Sequence, residues 1–190
     1  MKNSLKYIAA TTLVLTAPLG FAEVRTHEAN VTVQNAITIT PGAKLSFGTV
    51  FAKADTSGSA VATLRMPSNG NAIAVTAATP ASANMVQISA GTPATFTVSG
   101  VAPSVNLTLN LPSSPVTLTG SNTATFTVSS FEATVTTGGT STAYSTGTPN
   151  LATDASGNAT FSVGATLSTT NVASYLDETY SGNFSVEVIY

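Results

Sequence analysis

Between residues 29 and 40 the side chains alternate. Ala29, Val31, Val33, Ile37 and Ile39 share one face, and Asn30, Thr32, Gln34, Thr38 and Thr40 share the other. A repeat of two is the signature of a strand with one face in a core and one in water. A helix would bring its apolar face round every three or four residues instead. Asn35 interrupts the apolar face, Ala36 sits on the polar one, and Pro41-Gly42 ends the run as a turn. Similar short runs occupy residues 45–51, 60–66, 72–77, 85–89, 94–99, 105–111, 116–119, 123–129, 131–136, 159–167 and 183–190. Short strands divided by Gly, Pro, Asn and Ser clusters predict an all-β fold, either a sandwich or a barrel.

One pattern recurs within these runs: Thr95-Phe96-Thr97-Val98, Thr125-Phe126-Thr127-Val128, Thr160-Phe161-Ser162-Val163 and Asn183-Phe184-Ser185-Val186. Phe and Val are expected to face a core while the hydroxyl residues face water. The Phe positions are too unevenly spaced for a repeat architecture. Residues 138–157 form the longest polar stretch and read as a surface loop or short hairpin. A helix has room only at about 170–178.

Composition narrows the function. Charged residues make up 7% of the chain, against about 25% in an ordinary globular domain. There is no Cys and a single histidine, His27. Disulfides, thiolate metal sites and Cys nucleophiles are excluded, and any triad or His-based metal site would rest on His27 alone. Without a basic patch, nucleic-acid binding is not expected. Beyond the first 22 residues the acidic groups are Glu23, Glu28, Asp55, Glu132, Asp154, Asp177, Glu178 and Glu187. No motif marks a pair of them for acid–base chemistry, so no enzyme and no cofactor is expected. Asp154-Ala155-Ser156-Gly157-Asn158 has the start of an oxygen-rich calcium loop but lacks its acidic second half and closing Glu. It reads as an Asx/Gly turn.

Residues 1–22 have the form of a secretory signal peptide. Lys2 and Lys6 precede an apolar stretch at 7–19, and Gly20 and Ala22 provide the small residues before a cleavage point between Ala22 and Glu23. Export to the periplasm, or beyond it to the cell surface, is the expectation. Removing Lys2 and Lys6 from 6 basic residues leaves 4 against 8 acidic ones, a formal charge of −4.

The two ends then stand out. Residues 23–33 run without a turn into the alternating segment, and Phe184, Val186, Val188 and Tyr190 alternate with polar residues at the far end. An apolar strand at a sheet margin is an aggregation hazard unless covered. A leading strand can cover it, and if it covers the margin of the next molecule the contact is head-to-tail and open-ended. The expected domains are therefore a donor extension at 23–33 and a β-sandwich at 34–190. Ala29, Val31, Val33 and Ile37 are the expected donor residues; Phe184, Val186, Val188 and Tyr190 form the acceptor edge. Burying such side chains is worth on the order of 5–10 kcal/mol. So few charges make the junction insensitive to salt.

Several segments also resemble known sequences. Ala36-Ile37-Thr38-Ile39-Thr40, Leu45-Ser46-Phe47-Gly48-Thr49-Val50, the run from Gly157 to Leu167 and Tyr180-Ser181-Gly182-Asn183-Phe184-Ser185-Val186-Glu187-Val188-Ile189-Tyr190 resemble a family of secreted bacterial proteins known as domain of unknown function 4402. The second and last of these are also similar to subunits of chaperone–usher pili of the archaic, spore-coat-like type. That resemblance implies an immunoglobulin-like antiparallel β-sandwich, incomplete and finished by a donor strand. It also implies a homopolymer at the cell surface, a fimbrium, with a periplasmic chaperone and an outer-membrane usher as partners in transit. Two other readings compete: a self-contained secreted β-sandwich acting as a surface, matrix or binding module, and an outer-membrane barrel. Strands of five to seven residues fall short of the roughly 9–11 needed to span a membrane.

Overall fold

A computed structural model of the chain describes residues 23–33, 36–77 and 82–190. The expected signal peptide lies outside the described residues. The chain divides into two units, residues 1–33 and 34–190. In the first, residues 23–33 contain no strand and are exposed throughout. The second holds the strands: β1 (Thr38–Pro41), β2 (Thr49–Lys53), β3 (Thr63–Met66), β4 (Ala74–Thr76), β5 (Asn84–Ser89), β6 (Ala94–Ser99), β7 (Asn106–Asn110), β8 (Val116–Thr119) and β9 (Thr125–Val135). A 3-10 turn at Thr137–Gly139 follows, then β10 (Thr142–Tyr144), β11 (Leu151–Ala152), β12 (Ala159–Thr169) and β13 (Glu187–Ile189).

All pairings are antiparallel, and the unit is a β-sandwich. Its large sheet is built on β9 and β12, which pair along most of their length. The far side of β12 carries β6 and then β1 along its first half, and β3 and then β4 along its second. The far side of β9 carries β8 and β10. Facing this sheet are two smaller ones, β11-β7-β13 and β2-β5. Each covers its own core. The first core gathers Val98, Leu107, Leu109, Leu151, Phe161 and Val163; the second gathers Leu64, Met66, Met85, Phe126, Val128 and Leu167. The barrel reading is overturned, because a closed barrel has no edges and these sheets end on edge strands such as β1 and β13.

The runs expected at 123–129 and 131–136 are one strand. Their alternation changes phase because β9 carries an extra residue. Phe126 and Val128 face the second core, whereas Ala133 and Val135 face the first. Between them Ser130 takes φ 52, and the pairing with β12 slips by one. A bulge of this kind bends a strand and resets which side faces inward. Opposite it, Gly164 lets the chain cross directly overhead: a Cβ there would lie 2.2 Å from the Met66 carbonyl oxygen and 2.4 Å from the Ser68 nitrogen. The crossing is pinned by hydroxyls. Ser162 Oγ donates to the Ser68 carbonyl (2.5 Å), Ser68 Oγ meets Thr134 Oγ1 (2.7 Å), and the Ser68 N–H donates to Glu132 (2.9 Å).

Among the described residues, the first run, expected as one long strand, is a strand only from Thr38, where β6 provides a partner in Ser99. The run expected at 45–51 switches sheets. Ser46 bridges Thr92 beside β6, Gly48 turns at φ +77, and β2 then pairs with β5. No helix forms near 170–178. Tyrosines hold that segment instead: Tyr175 stacks on Phe126 at 4.1 Å, its hydroxyl donates to the Thr125 carbonyl, and Leu176 N–H donates to the Tyr180 hydroxyl. Burial pushes the Tyr175 phenol up from its ordinary value.

Two carboxylates fasten loops. The Ala60 N–H and the Ser82 hydroxyl hold Asp55 below its ordinary range, and the Ser121 hydroxyl and N–H do the same for Glu178. A depressed carboxylate adds stability that is fully present above its unfolded value, about 4. That contribution is lost as pH falls through the folded value. The expected thermal midpoint is flat from neutral pH down to about 5 and drops below about 4. Asp55→Asn reduces that acid slope, as thermal scans across pH would measure.

Candidate functional site: an open sheet edge

The segment 181–190 runs antiparallel to 106–119. Ser181 and Thr119 exchange backbone hydrogen bonds of 3.0 and 2.9 Å, and Val188 of β13 pairs with Leu109 of β7. Between these anchors the earlier segment has three more residues than its partner, and within it Pro112 and Pro115 have no N–H to give to the ladder. Asn183, Phe184 and Ser185 therefore make no backbone hydrogen bond to any described residue. Among the described residues β13 is bonded on one side only, to β7, and β1 on one side only, to β6.

Side chains along this edge keep the expected phase. Val188 is buried, and Phe184 and Val186 are half-buried against the first core. Tyr190 is 57% exposed, so three of the four expected acceptor residues turn inward and Tyr190 does not. The Phe184 ring lies 5.3 Å from that of Phe131 and 6.4 Å from that of Phe96. Phe96 belongs to β6, the neighbour of β1, and stacks on Phe161 at 5.1 Å. On the β1 side, Ile37, Ile39 and Leu45 are half-buried against the same core. The Phe-x-Val pattern thus grades with position. Its residues are buried in β9 and β12, while Phe96, Phe184 and Val186 at the open side are half-buried.

The expected donor residues divide. Ala29, Val31 and Val33 are exposed, Val31 at 86% and Val33 at 70%, whereas Ile37 packs on the first core of its own domain. Their neighbour Arg25 pairs with Glu23 at 2.7 Å, and His27 is exposed. The apolar alternation of the sequence marks which side chains of this segment face the core. It does not reveal the bare backbone, whose only trace is the Pro112–Pro115 interruption in a strand seventy residues earlier.

Elsewhere the side chains serve the fold. Asp154 Oδ1 accepts from the Ser156 and Asn158 N–H groups at 2.8 and 2.9 Å, the expected turn. A shallow depression of about 300 Å³ is lined by hydroxyl residues such as Thr97, Thr136 and Thr160 and by no titratable group. Among the described residues no cluster of three His, Cys, Asp or Glu stands ready for a metal, and no helix is long and apolar enough to cross a membrane.

A charge-poor β-sandwich with an open edge is the class these features define. The family model for a domain of unknown function (DUF4402) matches residues 37–190, and the chain belongs to that family. No curated protein and no solved structure matches it.

Proposed function

We propose that this protein is a structural subunit of an extracellular fibre. Residues 29–33 of one copy add as a strand to the 183–189 edge of the next. The observation that carries this reading is the bare backbone of Asn183, Phe184 and Ser185 beside half-buried Phe184 and Val186. Open N–H and C=O groups on an extended segment are a template for another strand. Ala29, Val31 and Val33 supply a matching apolar face at a spacing of two. Burying two valines contributes about 3–6 kcal/mol, and the ladder hydrogen bonds add about 1 kcal/mol each. The donor and the acceptor are different segments of the chain, so the contact between copies is heterologous, and where it does not close into a ring it generates an open filament. The subunit catalyses no reaction and needs no cofactor. It passes through the periplasm to the cell surface, and a chaperone and usher on that path would act at this same edge.

The test uses the chain beginning at Glu23. Incubated alone, it is expected to form filaments visible by electron microscopy. A synthetic peptide of residues 23–33 in excess caps the edge and holds the protein at short oligomers, while a scrambled peptide does not. A protein that stays monomeric under all these conditions is instead a self-contained secreted module.

A further inference from the structure

We infer that the domain folds to a finished monomer before any neighbour's strand arrives, so that the strand adds to an edge rather than filling a hole in the core. What finally covers the edge rests on the fibre reading; the folding itself does not. If a strand were missing from the middle of the packing, the side chains facing the gap would be exposed. They are not. With residues 23–33 exposed, Val98, Leu107, Leu109, Leu151 and Val163 of the first core are at 0% exposure and Phe161 is at 1%. At the open side the half-buried Phe184 packs its ring against both Phe96 and Phe131. What remains is a narrow strip of half-buried side chains and three residues of unbonded backbone. Exposed backbone in water is solvated at little cost, and a strip this narrow is far less sticky than an open core.

Two consequences follow for the partner strand. The edge recognises it mainly through its main chain, with shallow selection for side chains at alternate positions. And folding requires no second protein.

The experiment unfolds the chain beginning at Glu23 in guanidinium and dilutes it, alone, to sub-micromolar concentration. The expected result is a monomer with near-UV ellipticity, a single cooperative unfolding transition and no binding of a hydrophobic dye. The Val31→Asp/Val33→Asp double variant, which cannot donate, should refold equally well; this separates misfolding from polymerisation. Aggregation of the double variant, or a dye-binding compact state that becomes native only when the 23–33 peptide is added, would overturn the inference and leave the fibre reading standing. A well-folded monomer that ignores the peptide supports the inference and removes the fibre reading.

Discussion

Substituting Asp for Val31 or for Val33 is expected to abolish filaments while leaving the thermal midpoint of the subunit unchanged. Both residues are exposed in the single chain, at 86% and 70%, so a carboxylate there costs the isolated subunit nothing in burial. In the junction it would face Phe184 and Val186, where the rims at 37–46 and 181–190 offer a single cation, the exposed Lys44. An unpaired carboxylate in such a place costs about 3 kcal/mol or more, roughly a 100-fold loss of affinity at every junction. A filament multiplies that loss along its length. Thr32→Asp is the control, because Thr32 sits on the opposite face of the same strand and stays in water. Electron microscopy and sedimentation would compare the three variants. Normal fibres from both valine variants would remove residues 29–33 as the donor.

The contrast among these neighbours shows where the sequence was legible. Alternation of period two located nearly every strand, because burial of one face is written directly in residue type. What it could not supply was the partner of each strand. Residues 29–33 and 37–39 carry the same pattern, yet Ile37 and Ile39 belong to their own core and Val31 and Val33 are exposed. Nothing in an alternating run says where its neighbour strand stops. The phase break at Ser130 read as a turn between two strands, since a bulge and a turn interrupt alternation alike. At 170–178 the spacing allowed a helix, but the Tyr180 hydroxyl takes the Leu176 N–H that a helix would have used internally, and the Tyr175 hydroxyl ties Thr170 to Thr125 of β9. The bare backbone at 183–185 depends on a longer opposing segment with two prolines, distant in sequence, a relation that only folding creates.

Phe161 and Phe184 occupy the same place in the recurring pattern, and replacing each with Ala is expected to separate core from edge. Phe161 is 1% exposed, stacked on Phe96 near the start of β12. Its removal leaves a cavity that neighbours on two layers cannot close, at a cost of about 3–5 kcal/mol. For a domain of this size that lowers the thermal midpoint on the order of 10 °C. Phe184 is half-buried with one side toward the open edge, so its neighbours can relax into the space. The expected cost to the subunit is about 1–2 kcal/mol, below the usual range for a fully buried Phe. Filament formation should respond in the opposite order. Phe184→Ala removes the packed ring that holds the bare edge extended and deprives the incoming strand of its apolar floor, so growth slows severely in a subunit that remains folded. Phe161→Ala, measured well below its lowered midpoint, should still assemble because the edge itself is intact. Calorimetry gives the first ranking and turbidity the second. Equal assembly by both variants would mean that the strand docks elsewhere.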